Sequence, residues 1–272
     1  MNKWIQASIN LANSKSYLDN LFKIYPIEME NIRAIPDGIK NGIQRAFREK
    51  NKIKLISELL KLSKFPIDDP YIASLRKHPS LLSKNPKTIE RISKKLFSLG
   101  IDTVLELSTK PKSPSRQLGH SFKRWLRAIN CPFLEEDEFK KYSGVAFLDG
   151  SDKRLKKFAV EELGIRNLKK GIDFILKIKN KFILGEAKFL TDYGGTQNNQ
   201  FRDAINVAKI KKDNTIGIAV IDGIVWFDSN TYMHRTIKSF DGLALSALLL
   251  EEFIKEQNEI LTKMQISKTT FR

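Results

Sequence analysis

Residues 171–189 read Gly171-Ile-Asp173-Phe-Ile-Leu-Lys-Ile178, then Lys179-Asn180, then Lys181-Phe-Ile-Leu-Gly-Glu186-Ala-Lys188-Phe189. Ile, Phe and Leu on both flanks favour strands, and a two-residue connection containing Asn favours a β-hairpin. With Lys179-Asn180 as the loop, Asp173 falls directly opposite Glu186. Lys188 shares their face through the two-residue period of a strand. The rest of that face is Ile175, Leu184 and Phe182, with Lys177 near the turn. Carboxylates on so apolar a face are not ordinary surface charges.

Directly opposed residues have Cβ atoms roughly 4.5–5.5 Å apart, and like charges so placed repel. The pair is costly unless one carboxylate is protonated or a cation lies between them. Hard divalent cations such as Mg²⁺ prefer oxygen ligands and commonly use one or two carboxylates together with water and substrate phosphate. Lys188 would stand beside such an ion, able to orient or deprotonate a water or to stabilise charge on a phosphate. These are the parts of a phosphodiester hydrolase.

Gly-Ile-Asp173, twelve intervening residues and Glu186-Ala187-Lys188 resemble the PD-(D/E)xK nuclease signature of type II restriction endonucleases, over about residues 145–227. Ile172 stands where that signature has proline, which carries no chemistry. The resemblance implies an α/β fold in which a central mixed sheet is flanked by helices, here preceded by a helical N-terminal region. It implies that Asp173 and Glu186 bind Mg²⁺ and that Lys188 assists the water. A further acidic residue on the helix before the first strand often joins such sites, and Glu162 is the candidate. The implied reaction is site-specific cleavage of double-stranded DNA, leaving a 5′-phosphate and a 3′-hydroxyl. A homodimer with one active site per strand would match palindromic DNA.

The net charge of +17 points the same way. It is uneven: from Arg76 to Arg127 there are 13 Lys/Arg against 3 Asp/Glu. Basic surfaces attract polyanions through counterion release and steering, whatever their sequence. No run approaches the length of a membrane span, and the first residues lack a signal-peptide core, so no membrane partner is expected. The lone Cys131 excludes an internal disulfide and fits a reducing cytoplasm. No glycine-rich phosphate loop is present, so no nucleotide cofactor is expected.

Two regions are predicted, a mostly helical DNA-recognition region over 1–130 and the nuclease core over 131–272. One or two amphipathic helices open the chain, and a further one is expected over Ile43 to Leu62. Asn85-Pro86 begins a helix that Gly100 can close. Residues 109–115 form a loop, and 116–127 a helix with a basic face. On it Arg116, Gln117, Lys123 and Arg124 are candidate DNA contacts, since Arg suits guanine edges or phosphates and Gln suits adenine. The acidic run Glu135 to Glu138 is expected to be a solvated loop rather than a metal site, although such runs also start helices. Ser151 caps a helix that Gly164 ends. After Lys188, residues 191–200 form a polar loop whose Gln197, Asn198 and Asn199 are further candidates for base contact. A second hairpin is expected to turn at Asp222-Gly223, and a long helix to run from Asp241 to about Met264.

Two other classes fit these features. One is another DNA nuclease on the same fold, such as a resolvase, repair or transposon endonuclease. The other is a non-catalytic DNA-binding protein.

Overall fold

The computed structural model describes residues 1–26, 34–110, 114–166, 168 and 171–270, without the side chains of 114–116 and 265–270. It divides into two compact units, one comprising Met1–Ile27 with Pro114–Arg272 and the other Glu28–Ser113. The division does not fall at residue 130. The first two helices and the basic helix of the expected recognition region belong to the unit that carries the sheet. The basic stretch from Arg76 to Arg127 is shared between the units.

Two helices open the chain, α1 (Lys3–Ala12), capped by the Asn2 side chain on the Trp4 N–H, and α2 (Tyr17–Ile24). The second unit is helical: α3 (Asp37–Arg48), α4 (Lys52–Leu60), α5 (Ile72–Lys77), α6 (Leu81–Lys84), α7 (Pro86–Leu99) and α8 (Ile101–Thr109). The single helix expected over Ile43 to Leu62 is two. Lys50 takes a left-handed φ of 50°, and the Asn51 side chain caps the new helix on the Lys54 N–H. Pro86 and Gly100 bound α7 as anticipated. Ile43, Ala46, Leu55, Ile56, Leu59, Ile92, Leu96 and Val104 form this unit's fully buried core. Over residues 28–113 the sequence has 18 Lys/Arg against 10 Asp/Glu, so the unit is itself basic.

The first unit continues with α9 (Pro114–Ala128), β1 (Phe133–Leu134), α10 (Glu136–Lys141), β2 (Val145–Leu148), α11 (Asp152–Glu161), β3 (Phe174–Ile178) and β4 (Lys181–Leu190). Then come α12 (Gly195–Ala208), β5 (Lys211–Lys212), β6 (Thr215–Gly223), α13 (Tyr232–Lys238), β7 (Leu243–Leu245) and α14 (Leu250–Thr270). The mixed seven-stranded sheet has the order β1-β2-β3-β4-β6-β5, with β7 also paired to β6. β3 lies antiparallel to β2 and β4, whereas β6 runs parallel to β4 and β7. Buried on one face, Ile175 and Leu184 pack with Phe139, Leu155 and Phe158 of α10 and α11. Phe147, Phe174 and Ile183 join a larger core with Leu118, Phe122 and Leu126 of α9 and Phe201 and Ile205 of α12.

Four expectations are corrected. The acidic run from Glu136 is the first turn of α10, where carboxylates favour the helix dipole. Gln197, Asn198 and Asn199 lie within the first five residues of α12, which begins at Gly195 rather than near residue 200. The apolar run after Asp241 forms β7 and a short 3₁₀ turn before α14, because a brief apolar run suits a buried strand as well as a helix.

The second hairpin is absent. β6 reaches Gly223 and then enters a 3₁₀ turn over Ile224–Trp226. The Asp222 carboxylate is drawn inward, accepting bonds from the Tyr25 hydroxyl at 2.7 Å and the Ala247 N–H at 3.1 Å. Ser246 donates to its other oxygen, and burial still pushes the Asp222 pKa up to about 6. Gly223 has φ 92°, and a Cβ there would lie 2.0 Å from the Leu190 carbonyl oxygen. Gly223→Ala should therefore destabilise the protein by about 1–3 kcal/mol from backbone strain alone, with the clash in addition. Urea unfolding will measure this, and a loss below about 0.5 kcal/mol, typical of an unstrained surface site, would contradict it.

Candidate active site

The predicted register of the first hairpin is the observed one: Phe174 pairs with Gly185, Ile175 with Leu184, and Ile178 with Lys181. Lys179, rather than Asn180, carries the left-handed turn at φ 56°. Lys177 is buried, and its Nζ donates to the Phe139 and Lys140 carbonyls at 3.0 and 2.7 Å, a cation at the C-terminal end of α10. The ladder stops one residue short of Asp173, whose N–H donates to the Gly185 carbonyl at 2.9 Å. Gly185 permits this arrangement: a Cβ there would meet the Phe174 ring at 1.9 Å. Asp173 therefore leans past Glu186, and its Oδ2 accepts the Ala187 N–H at 2.9 Å.

Glu186 lies in the middle of β4, between β3 and β6, and is only 5% exposed. Lys188 reaches back to it. The Lys188 Nζ is 2.5 Å from Glu186 Oε1, donates to the Ala187 carbonyl at 3.0 Å and is 3.7 Å from Asp173 Oδ2. One cation thus stands among three oxygens. Burial, reinforced by Asp173, pushes the Glu186 pKa from 4.5 to about 7, even with Lys188 pulling it down. Burial also works against the Lys188 ammonium, but Glu186 and Asp173 outweigh it and its pKa is raised. Two carboxylates and a carbonyl form a donor set suited to a hard divalent cation. A cavity of about 30 Å³, lined in part by Tyr25, Phe122, Asp173, Ala187 and Lys188, leaves room for a water-sized species beside them.

The site gathers side chains whose part was not read from the sequence. Lys123 of α9, expected only as a DNA contact, pairs with Asp152 and lies 3.5 Å from Asp173 Oδ1. Asp203 of α12 raises the pKa of both Glu186 and Lys188 through its charge. Tyr25 packs edge-on against Phe189 at 4.9 Å and stacks on Phe122. The sequence signal for Asp152 was its place just after the Ser151 cap. Asp203 and Tyr25 arrive through packing of α12 and α2, which leaves no local signature.

Glu162, at the end of α11, pairs with Lys140 at 2.9 Å. Among the described residues no group of three or more His, Cys, Asp or Glu side chains is gathered to hold a metal. The Arg116 side chain lies outside the described residues. Arg124 is exposed on α9 and Gln117 half-buried. On α12, Gln197 donates to Thr191 at 3.2 Å and Asn199 accepts from Arg202 at 2.7 Å, while Asn198 is half-buried.

A mixed sheet flanked by helices, with Asp173 and Glu186-Ala187-Lys188 at adjoining strands, is compatible with a restriction-endonuclease fold. The chain belongs to the Tsp45I type II restriction enzyme family, whose model matches residues 2–257. It is therefore a site-specific endonuclease with DNA as its substrate, and enzymes of this type generally need a divalent metal. No curated protein and no solved structure matches it. No helix among the described residues is long and apolar enough to cross a membrane.

The raised Glu186 pKa has a consequence for stability. Its contribution is fully present below 4.5, where the carboxyl is protonated in both states, and is lost as pH rises through about 7. Glu186→Gln cannot titrate, so in chelator the wild type should lose stability relative to this variant between those limits. Asp222 titrates in both proteins and cancels in the difference. Thermal unfolding across pH measures this, and a flat difference would contradict the assignment.

Proposed function

We propose that the enzyme cleaves double-stranded DNA with Mg²⁺ held by Asp173 and Glu186, leaving 5′-phosphate and 3′-hydroxyl ends. The observation that carries this reading is the Lys188 ammonium set among Glu186 Oε1, the Ala187 carbonyl and Asp173 Oδ2. The same three oxygens suit a hard cation, with the Ala187 carbonyl as the third donor. When bound, the ion would supply positive charge for the phosphate and a more acidic water. Glu162 is left out of this set because Lys140 holds it elsewhere.

The chain's own groups do the rest. The Ala187 N–H fixes the direction of the Asp173 carboxylate, and the β4 pairing fixes Glu186. Lys188, displaced from between the carboxylates, would hold the attacking water and a phosphate oxygen in line. Water adds to phosphorus and gives up a proton to solvent, the bond to the 3′-oxygen breaks, and that oxygen takes up a proton from solvent. Arg116, Gln117, Lys123 and Arg124 of α9 would contact DNA on the side of the site that Lys123 already touches. Gln197, Asn198 and Asn199 lie near the start of α12, the next element after β4, and would meet the DNA from there. We further propose a homodimer working in the cytoplasm, since duplex DNA presents two antiparallel strands and one chain offers one such site.

Digestion of a long defined DNA in Mg²⁺ should give one repeated cut position, with ends that a ligase joins without prior phosphorylation. Asp173→Asn and Glu186→Gln should abolish cleavage and retain DNA binding. Lys188→Ala should bind and cut roughly 10²–10⁴-fold more slowly. Near wild-type cutting by either carboxamide variant would overturn the metal assignment, and ordinary turnover by Lys188→Ala would reduce that lysine to a surface charge.

A further inference from the structure

Both oxygens of Asp173 are engaged. Oδ2 accepts the Ala187 N–H at 2.9 Å and faces Lys188, while Oδ1 lies 3.5 Å from the Nζ of Lys123, which also pairs with Asp152. The Asp173 side chain is 18% exposed and that of Lys123 39%, so this ammonium sits at the border of the site and solvent. The helix beneath it is anchored: Leu118, Phe122 and Leu126 of α9 are buried in the larger core. Lys123 can leave Asp173 by rotating its own flexible stem, without moving α9.

The charges oppose simultaneous occupancy. Lys123 and a divalent ion on Asp173 would share one carboxylate, the ammonium beside Oδ1 and the ion at Oδ2. Two cations on one carboxylate repel across a few ångströms, and withdrawing Lys123 removes that repulsion. The group that can draw Lys123 outward is a DNA phosphate, an acceptor for an ammonium with three rotatable donors. Lys123 is a cation of α9 that already reaches the site.

We propose that Lys123 is a latch coupling DNA binding to metal loading. Without DNA it occupies Asp173. A backbone phosphate beside the site draws it away and opens Asp173 to the divalent ion. By linkage, DNA and metal each raise the other's affinity by the same factor. The inference rests on the metal assignment to Asp173 and Glu186, and the test separates the two.

Mn²⁺ alone is titrated calorimetrically into the full chain without DNA. Lys123→Met should bind it on the order of tenfold more tightly than wild type, the scale expected when a charge a few ångströms away is removed at a protein surface. Lys123→Arg, which keeps the charge, should stay near wild type. In the slow-cutting Lys188→Ala background, a duplex carrying the cut site should tighten Mn²⁺ binding. Combining Lys188→Ala with Lys123→Met should remove that gain. Equal affinities for wild type and Lys123→Met would overturn the latch. If Asp173→Asn then abolishes Mn²⁺ binding, the metal assignment stands without it. Wild-type Mn²⁺ affinity in Asp173→Asn would overturn both.

Discussion

The burial of Glu186 in the middle of β4 is the constraint around which the catalytic unit is organised. A carboxylate walled by strands on both sides and nearly cut off from water is costly unless a cation compensates it. Lys188 provides that compensation from two residues along the same strand, where the period of two brings its ammonium back over the same face. Asp173 is fixed by a different means. It stands just outside β3, and its carboxylate is held by the Ala187 N–H across the hairpin. The two acids therefore approach one another because of the hairpin, and the sheet prevents them from moving apart. Burial first, and then the nearby charge of Asp173, hold Glu186 well above the usual carboxylate range, an electrostatic demand that a divalent cation would meet.

The surroundings preserve that geometry. Phe174 crosses Gly185 immediately before Glu186, and β6 runs parallel to β4 along nearly its whole length. Beyond the strand ends, buried Asp222 ties the end of β6 to Tyr25 after α2 and to the turn after β7. Tyr25 then packs on Phe189 and Phe122, one residue from Lys188 and one from Lys123. A chain of packed rings and hydrogen bonds thus connects the N-terminal helices with both lysines of the site. This connection explains why α1, α2 and α9 fold with the sheet, although the sequence alone suggested a separate helical region.

Legibility followed the range of the interactions. The Lys179-Asn180 turn and the alternating hairpin are local, and they yielded the register, the shared face and the Asp173, Glu186, Lys188 set. Ser151, Pro86 and Gly100 likewise marked helix ends through local backbone chemistry. Asp222-Gly223 misled because the residues of a tight turn also suit a buried carboxylate and a left-handed glycine, and only the packing of Tyr25 and Ser246 separates the two. The run after Asp241 was too short for its apolar letters to distinguish strand from helix. Lys123, Asp152 and Asp203 come to the site from three helices, and no spacing in the chain encodes that meeting. Glu162 bordered the right helix but lies at its far end, where Lys140 holds it.

Both compact units are basic, and the two lysines nearest Asp173 belong to a strand and to a DNA-facing candidate helix of the same unit. Positive charge therefore serves twice, attracting a polyanion over long range and standing in for a cation at the carboxylates. The most direct test is anomalous diffraction from crystals of the protein holding Mn²⁺. The account predicts a peak coordinated by Asp173, Glu186 and the Ala187 carbonyl, with the Lys188 ammonium displaced from between them. A peak held by other residues, with Lys188 still bonded to Glu186 and Ala187, would contradict it.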